Sequence, residues 1–354
     1  MEQLHTCPDE ILEMASVYYE TLFTSDLLTG DVLDVRDEVW SFVRPVVSGD
    51  IQTAIMQPFS LHKVTDAVHG LDGATCPRDD GLTRQFFMQY WDLVSQPLRE
   101  VLQEIFDTGI MLQSMSSGII SLIPKGGDAS TLRQWRPITP MSSVYKILAR
   151  MITSRLRPFL PDLIYSSQTG FVQDRSILDN VVTFYEAVEW AHQTGQPTAI
   201  MLLDFEKAYD RVDWGFLETL HRMGFLGAWI RGIFALYRSS SAAVTIGGHV
   251  GRTFALSRSV RQGCPLAPYL FLFFAETMAL YLRGRTPQIR GVIEDDYNVF
   301  KRGVCHKLMM WHPVRITDVA LYGRPENHDA NHGTVRSDDV AVPTQLPRGK
   351  SYAS

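Results

Sequence analysis

From Thr198 to Asp204 the chain reads Thr-Ala-Ile-Met-Leu-Leu-Asp, a continuous apolar run that stops on a carboxylate. Few folds can use such a segment. An apolar run without alternation suits a central strand buried on both faces, and its last residue then delivers an acid at the strand tip. On residues alone that acid is as readily a helix cap or a salt-bridge partner as a catalytic group. Tyr209, a little further on, is as readily a core aromatic as a site residue.

The flanking sequence supplies both helices and short strands. Residues 8–24 predict a helix with Ile11, Leu12, Ala15, Tyr18, Tyr19 and Leu22 on one face. A second starts at Leu61 and ends near Gly70 or Gly73, and a third runs from Phe86 through Trp91 to Ile105. Gly118–Pro124 predicts a strand stopped by proline, and Arg136–Thr139 a second extended piece. Ser142 is an N-cap for a helix whose apolar stripe is Val144, Ile147, Leu148, Met151, Ile152, Leu156, Phe159 and Leu160. Another helix spans about Ser176 to His192. Asp213 caps a helix that closes at Gly224, and Gly247-Gly248 turns a hairpin between Ala243–Ile246 and Arg252–Leu256. The chain has no internal repeat.

The net charge is −6 and the isoelectric point is near 5.9, so any affinity for nucleic acid must come from a local surface. Such a surface is present. Lys125, Arg133, Arg136, Lys146, Arg150, Arg155 and Arg157 are opposed between them only by Asp128. That suits tracking of phosphates, although a solvated helix face has the same composition. Cys7, Cys76, Cys264 and Cys305 are far apart, which argues against a disulfide framework. Met1 to His5 lacks the basic start and apolar core of a secretory signal. Cys264–Leu282 has the length of a membrane span, but Glu276 and its two prolines make a buried helix the expectation.

Four pieces stand in a telling order: Leu-Ile-Pro-Lys-Gly-Gly around Lys125, Trp-Arg-Pro-Ile around Arg136, Met-Leu-Leu-Asp-Phe-Glu-Lys-Ala-Tyr-Asp around Asp204 and Tyr209, and Arg-Gln-Gly-Cys-Pro-Leu-Ala-Pro from Arg261. Gln-Thr-Gly-Phe-Val-Gln-Asp-Arg-Ser, from Gln168 to Ser176, lies between the second and third. Each alone is weak, but the ordered set resembles the reverse transcriptase domain of non-LTR, LINE-type retrotransposons over about Tyr18 to Val292. The resemblance implies an α+β right-hand polymerase, with fingers and palm and a short mixed sheet packed on helices, that adds deoxynucleotides to a primer 3′-OH. Its partners would be an RNA template, a DNA primer and deoxynucleoside triphosphates, with no membrane and with Mg²⁺ or Mn²⁺ as cofactor. A nuclear location follows from the family alone.

Residue by residue, the resemblance makes Asp204 the catalytic acid and first metal ligand, helped by the Phe205 carbonyl. Lys125 and Arg136 would grip the triphosphate, which the planar fork of arginine can take at two oxygens. Tyr209 matches the steric gate whose ring leaves no room for a 2′-OH. Gln262 and Gly263 match the loop that lies against the incoming nucleotide. Asp213 reads as a cap, Asp210 as a structural hydrogen-bond acceptor and Cys264 as a packing residue.

The family's second acidic motif, an aromatic-Ala-Asp-Asp hairpin, is expected near residues 300–310, where the sequence holds no acid. Its nearest substitute is Glu294-Asp295-Asp296, so Asp295 and Asp296 are the candidate second metal ligands. Asp338-Asp339 lies in polar tail. The expected organisation is an acidic helical extension over 1–60, fingers over 61–197, an incomplete palm over 198–292, no thumb, and an irregular tail over 293–354. The chain then resembles the middle of an element whose reading frame is cut near Val292. Cys305, His306, His312, His328 and His332 read as solvated loop residues, since a zinc knuckle needs closely spaced cysteines. Three functions remain open: an RNA-directed DNA polymerase impaired by the missing acids, a non-catalytic nucleic-acid-binding remnant, and an unrelated metal-dependent hydrolase built on Asp204.

Overall fold

Pro8 at the first position, followed by Asp9 and Glu10, opens α1 (Pro8–Phe23), whose buried face is Ala15, Ser16, Tyr19, Leu22 and Phe23. Proline costs nothing there and the acids complement the helix dipole. The computed structural model describes residues 7–26, 30–71, 81–126, 129–195, 200–205, 207–285 and 316–322. Three helices follow: α2 (Gly30–Trp40), α3 (Gly49–Ile55) and α4 (Leu61–His69). Ser48 and Ser60 cap α3 and α4 by accepting from the Ile51 and Lys63 amides. The helix expected from Phe86 to Ile105 is two, α5 (Arg84–Gln89) and α6 (Trp91–Thr108). Tyr90 breaks it by leaving helical geometry (φ −112°, ψ 22°), with its ring 5.3 Å from that of Phe86.

The short helix α7 (Gln113–Ser116) leads into β1 (Gly118–Pro124) and β2 (Trp135–Ile138). The Ser142 hydroxyl accepts from the Tyr145 amide and starts α8 (Ser143–Leu156), which buries the predicted stripe from Val144 to Leu156. Next come α9 (Leu160–Leu163), α10 (Ile177–Thr194), β3 (Ile200–Phe205), α11 (Leu217–Arg222), α12 (Gly227–Phe234), β4 (Ser241–Ile246), β5 (His249–Val250), β6 (Phe254–Ala255), α13 (Ala267–Arg285) and β7 (Ile316–Tyr322).

Among the described residues the larger sheet runs β2-β1-β4-β5, with β6 also on β4. β1 is antiparallel to β2 and parallel to β4, so residues far apart in sequence share one layer. Gly247 and Gly248 turn β4 into β5 at φ +59° and +85°, the left-handed pair a tight hairpin needs. The single return strand expected over Arg252–Leu256 is divided between β5 and β6.

Two apolar clusters hold these layers. In one, Ala15, Tyr19, Leu22 and Phe23 of α1 pack on Ile120, Val244 and Phe254. The Arg258 guanidinium fixes the end of that helix, donating to the Leu22 and Thr21 carbonyls at 2.6 and 3.3 Å. The segment expected as an extension is thus packed into the sheet. The larger cluster runs from Val39 to Tyr281 and encloses Trp229, Tyr145, Tyr237 and Phe106. Each such side chain contributes about 2–3 kcal/mol on burial. That core and the β1–β4 pairing both cross the fingers–palm boundary expected at 197/198. Among the described residues, no helix is long and apolar enough to cross a membrane.

β3 and β7 form a separate antiparallel pair, with Ile200 opposite Tyr322 and Leu203 opposite Val319. Two expectations change here. The Asp204 strand has one partner among the described residues rather than a place inside a larger sheet. The tail is not irregular throughout, because Ile316–Tyr322 is a strand. Its Ile, Val, Leu and Tyr suit a pleated surface, and the polar residues beyond hide that short run in the composition.

Candidate active site

The site starts from the β1–β2 ribbon. Ile123 pairs with Arg136, and the Lys125 amide donates to the Gln134 carbonyl at 2.9 Å, extending the same register. Directly paired residues share a face and so do residues two apart. Lys125 and Arg136 are therefore diagonal neighbours on one exposed face of the ribbon. A Thr131–Gln134 capping box orders the turn between the strands.

The turn after β3 is tied to that ribbon. Lys207 Nζ donates to the Trp135 carbonyl at 3.1 Å. The Lys207 backbone is left-handed (φ 55°), and its carbonyl accepts from the Asp210 and Arg211 amides. Tyr209 is half-buried with its ring 5.2 Å from that of Phe271 on α13. The Phe205 ring meets Phe271 and Phe274 edge-on at 5.8 and 6.1 Å. Both residues that follow the strand tip thus rest on α13. Asp213 is a cap as expected, accepting from the Gly215 amide at 2.7 Å and from the Ser25 hydroxyl at 2.6 Å.

The Gln-Gly loop closes over this turn. Val260 donates its amide to the Tyr209 carbonyl at 3.0 Å, and Thr139 donates to the Gln262 carbonyl at 3.2 Å. Gly263 sits at φ +107°, and a Cβ there would lie 3.1 Å from the Thr139 carbonyl oxygen. Only glycine meets both demands without strain. Gln262 Nε2 donates to both carboxylate oxygens of Asp210, at 3.0 and 2.9 Å. Asp210 is 1 % exposed. Burial pushes its carboxyl up to about 7, against the opposing pull of Lys207, the Gln262 bond, Lys125 and Arg211.

Arg261, quoted above only as part of a motif, anchors the loop. Its buried guanidinium donates to the Ser116 carbonyl at 2.5 Å and lies 5.8 Å from the Tyr145 ring centroid. Burial lowers its pKa. Burial also raises the Cys264 thiol, which leaves that residue an inert packing group.

Lys125, Arg136, Tyr209, Gln262 and Gly263 therefore belong to one connected assembly, in which Asp210 is the hydrogen-bond acceptor expected, with Gln262 as its donor, and Lys207 is a member that no motif announced. Asp204 is the next-to-last residue of β3, between the Leu203↔Val319 and Phe205↔Ile316 pairs, where the register shifts. Thr317 and Asp318 of β7 therefore stand together opposite Asp204, two residues against one as in a bulge. Asp318 was missed. The available signal was a lone acid in Ile-Thr-Asp-Val-Ala-Leu-Tyr, a short run rich in strand formers. Glu294, Asp295 and Asp296 lie outside the described residues, as do Asp338, Asp339, Cys305, His306, His312, His328 and His332.

A family model described as reverse transcriptase (RNA-dependent DNA polymerase) matches residues 123–306, more than half the chain and past Val292. The chain belongs to the reverse transcriptase family. Its relatives are of the non-LTR retrotransposon kind implied by the ordered motifs. The Transposon TX1 uncharacterized 149 kDa protein of Xenopus laevis is 33% identical over 279 residues, covering 78% of this chain and 21% of that protein. A Retrovirus-related Pol polyprotein from type-1 retrotransposable element R2 of Popillia japonica is 25% identical over 242 residues, 68% of this chain and 33% of that one. The RNA-directed DNA polymerase from mobile element jockey of Drosophila melanogaster is 26% identical over 227 residues, 62% of this chain and 24% of that one. This reverse transcriptase domain thus spans about a fifth to a third of the length of these relatives.

Proposed function

We propose that the chain is an RNA-directed DNA polymerase domain that adds deoxynucleotides to a primer 3′-OH, with Asp204 and Asp318 as its metal-holding acids. The observation that carries this reading is the β3–β7 register, in which the Thr317-Asp318 step of β7 stands opposite Asp204 of β3. Carboxylate oxygens are the donors that hard divalent cations such as Mg²⁺ or Mn²⁺ take. When bound, such ions would neutralise charge on the attacking and leaving oxygens. The protein's own part is positioning. Lys125 and Arg136 present paired cations to a triphosphate, Tyr209 stands against the sugar as the gate against a 2′-OH, and the Gln262-Gly263 loop bounds the nucleotide from the other side.

A second reading has its own support. β7 offers Thr317-Asp318 where the family's hairpin has two adjacent acids, so catalysis is weakened while the cationic grip is intact. On that reading the chain binds primed template without extending it.

Primer extension on poly(rA) with an oligo(dT) primer and Mg²⁺ or Mn²⁺ tests both. The first reading expects incorporation that falls at least a thousandfold in Asp204→Ala and in Asp318→Ala, as follows when stabilisation worth several kcal/mol is removed. Joint replacement of Glu294, Asp295 and Asp296 by alanine should leave it unchanged. Template binding without incorporation would establish the second reading instead.

A further inference from the structure

We propose that Asp210 is a positioning residue, whose buried carboxylate decides which end of the Gln262 amide the Gln-Gly loop turns toward the nucleotide. This rests on the polymerase reading above and adds to it a control by pH.

The argument starts from what is fixed. The loop backbone has little freedom. It is held by the Val260–Tyr209 and Thr139–Gln262 backbone bonds, by the Arg261 guanidinium on the Ser116 carbonyl, and by the close approach of Gly263 to Thr139. Within that frame the Gln262 side chain keeps one two-fold choice. An amide is a donor at its nitrogen and an acceptor at its oxygen. An ionised carboxylate only accepts, so Asp210 captures the NH₂ end at 2.9 and 3.0 Å, which leaves Oε1 as the end turned away from the carboxylate. A protonated Asp210 donates its O–H to Oε1 instead, and the amide then presents two N–H groups to the site. The loop therefore offers an acceptor in one state of Asp210 and a donor in the other. A nucleotide sugar hydroxyl or base edge distinguishes the two.

The surroundings place this change near neutrality. Burial resists ionisation, while Lys207 and Arg211 of the same turn and Lys125 at the ribbon end favour it. Tyr19, reaching in from α1, feels the Asp210 charge, and its hydroxyl has no hydrogen-bond partner among the described residues. Gln262 is the neutral group between Asp210 and the site.

The test uses the whole chain labelled with ¹⁵N-glutamine, the Gln262 side-chain amide being assigned by its loss in Gln262→Ala. That amide should titrate around pH 7 in the wild type and stay flat between pH 5.5 and 8.5 in Asp210→Asn. A flat wild-type amide, or an identical titration in Asp210→Asn, overturns the proposal. With primed template, the KM for deoxynucleotide should shift severalfold between pH 6 and 8 while kcat moves less, and Asp210→Asn should flatten that shift. Asp210→Ala should raise KM roughly tenfold, the size of one lost charge-assisted hydrogen bond. A KM with the same pH profile in Asp210→Asn as in wild type counts against the proposal. If the wild type incorporates nothing at any pH, the polymerase reading fails, and the amide titration alone decides whether Asp210 positions Gln262.

Discussion

The β1–β2 ribbon with its Gln-Gly loop and the β3–β7 ladder, the two halves of the proposed site, are supported very differently. The ribbon joins the larger sheet through β4, is backed by α1, and is tied to the loop and the β3 turn through Thr139, Trp135 and Lys207. The ladder is two strands, anchored at its tip by the rings of Phe205 and Tyr209 on α13. A pair of strands is marginal alone, whereas three or more with an apolar face stand by themselves. On the proposed function, nucleotide grip rests on the better-supported half and cation holding on the weaker one. Mutations that impair chemistry therefore need not impair binding.

The largest expected effect comes from strengthening the weaker half. Thr317 stands beside Asp318 in the bulge opposite Asp204. Thr317→Asp adds a second acid there and should raise incorporation by roughly two to three orders of magnitude, since charge stabilisation by a well-held cation is worth several kcal/mol. Template affinity, set by the ribbon, should stay within about twofold. Primer extension and filter binding on the same preparation check both. An unchanged rate would mean that the ladder does not face the reacting phosphate, and the contrast between the halves would lose its functional meaning.

Much of the better-supported half was legible because its signals are local. Ser142 as a cap, Gly118–Pro124 as a strand and Gly247-Gly248 as a turn follow from propensity and backbone sterics, and the motifs around Lys125 and Arg136 fall on the ribbon that Gly118–Pro124 opens. What escaped was non-local. Nothing near Gly118 announces a parallel partner at Ala242. Nothing near Gln262 says that Asp210 will take both of its amide bonds, because those residues lie far apart in sequence and meet only when the fold closes. Asp318 escaped for another reason. The motif is defined by spacing and by adjacent acids, whereas a strand of seven residues with one acid keeps the pleat pattern and loses the signature.

A smaller effect probes the electrostatic cost within the better-supported half. The folded Asp210 value of about 7 lies above its ordinary 3.8. Between those values the folded chain keeps a proton that the unfolded chain has released. Stability from this group is therefore greatest below the unfolded value, falls as pH rises through the window, and levels off above about 7. Asn has the same shape and never ionises. Asp210→Asn should be close to wild type at pH 4 and more stable at pH 8 by roughly 2–4 kcal/mol. Urea melts at the two pH values check this. Equal stability at pH 8 would mean that Lys207, Lys125 and Arg211 fully compensate the buried charge.

The smallest effect separates the halves by stability alone. The Ser142 hydroxyl accepts from the Tyr145 amide and donates to the Met115 carbonyl at 2.7 Å, joining the start of α8 to the end of α7. Ser142→Ala removes both bonds in the middle of the larger core and should cost about 1–2 kcal/mol, or about 2–4 °C in Tm. If the halves melt as one unit, hydrogen exchange at β3 and β4 should accelerate together in this variant. If β3 opens by local unfolding, its amides exchange faster than those of β4 already in the wild type, and the substitution accelerates β4 alone. The second pattern is expected, because a ladder of two strands opens without disturbing the core that Ser142 helps to hold.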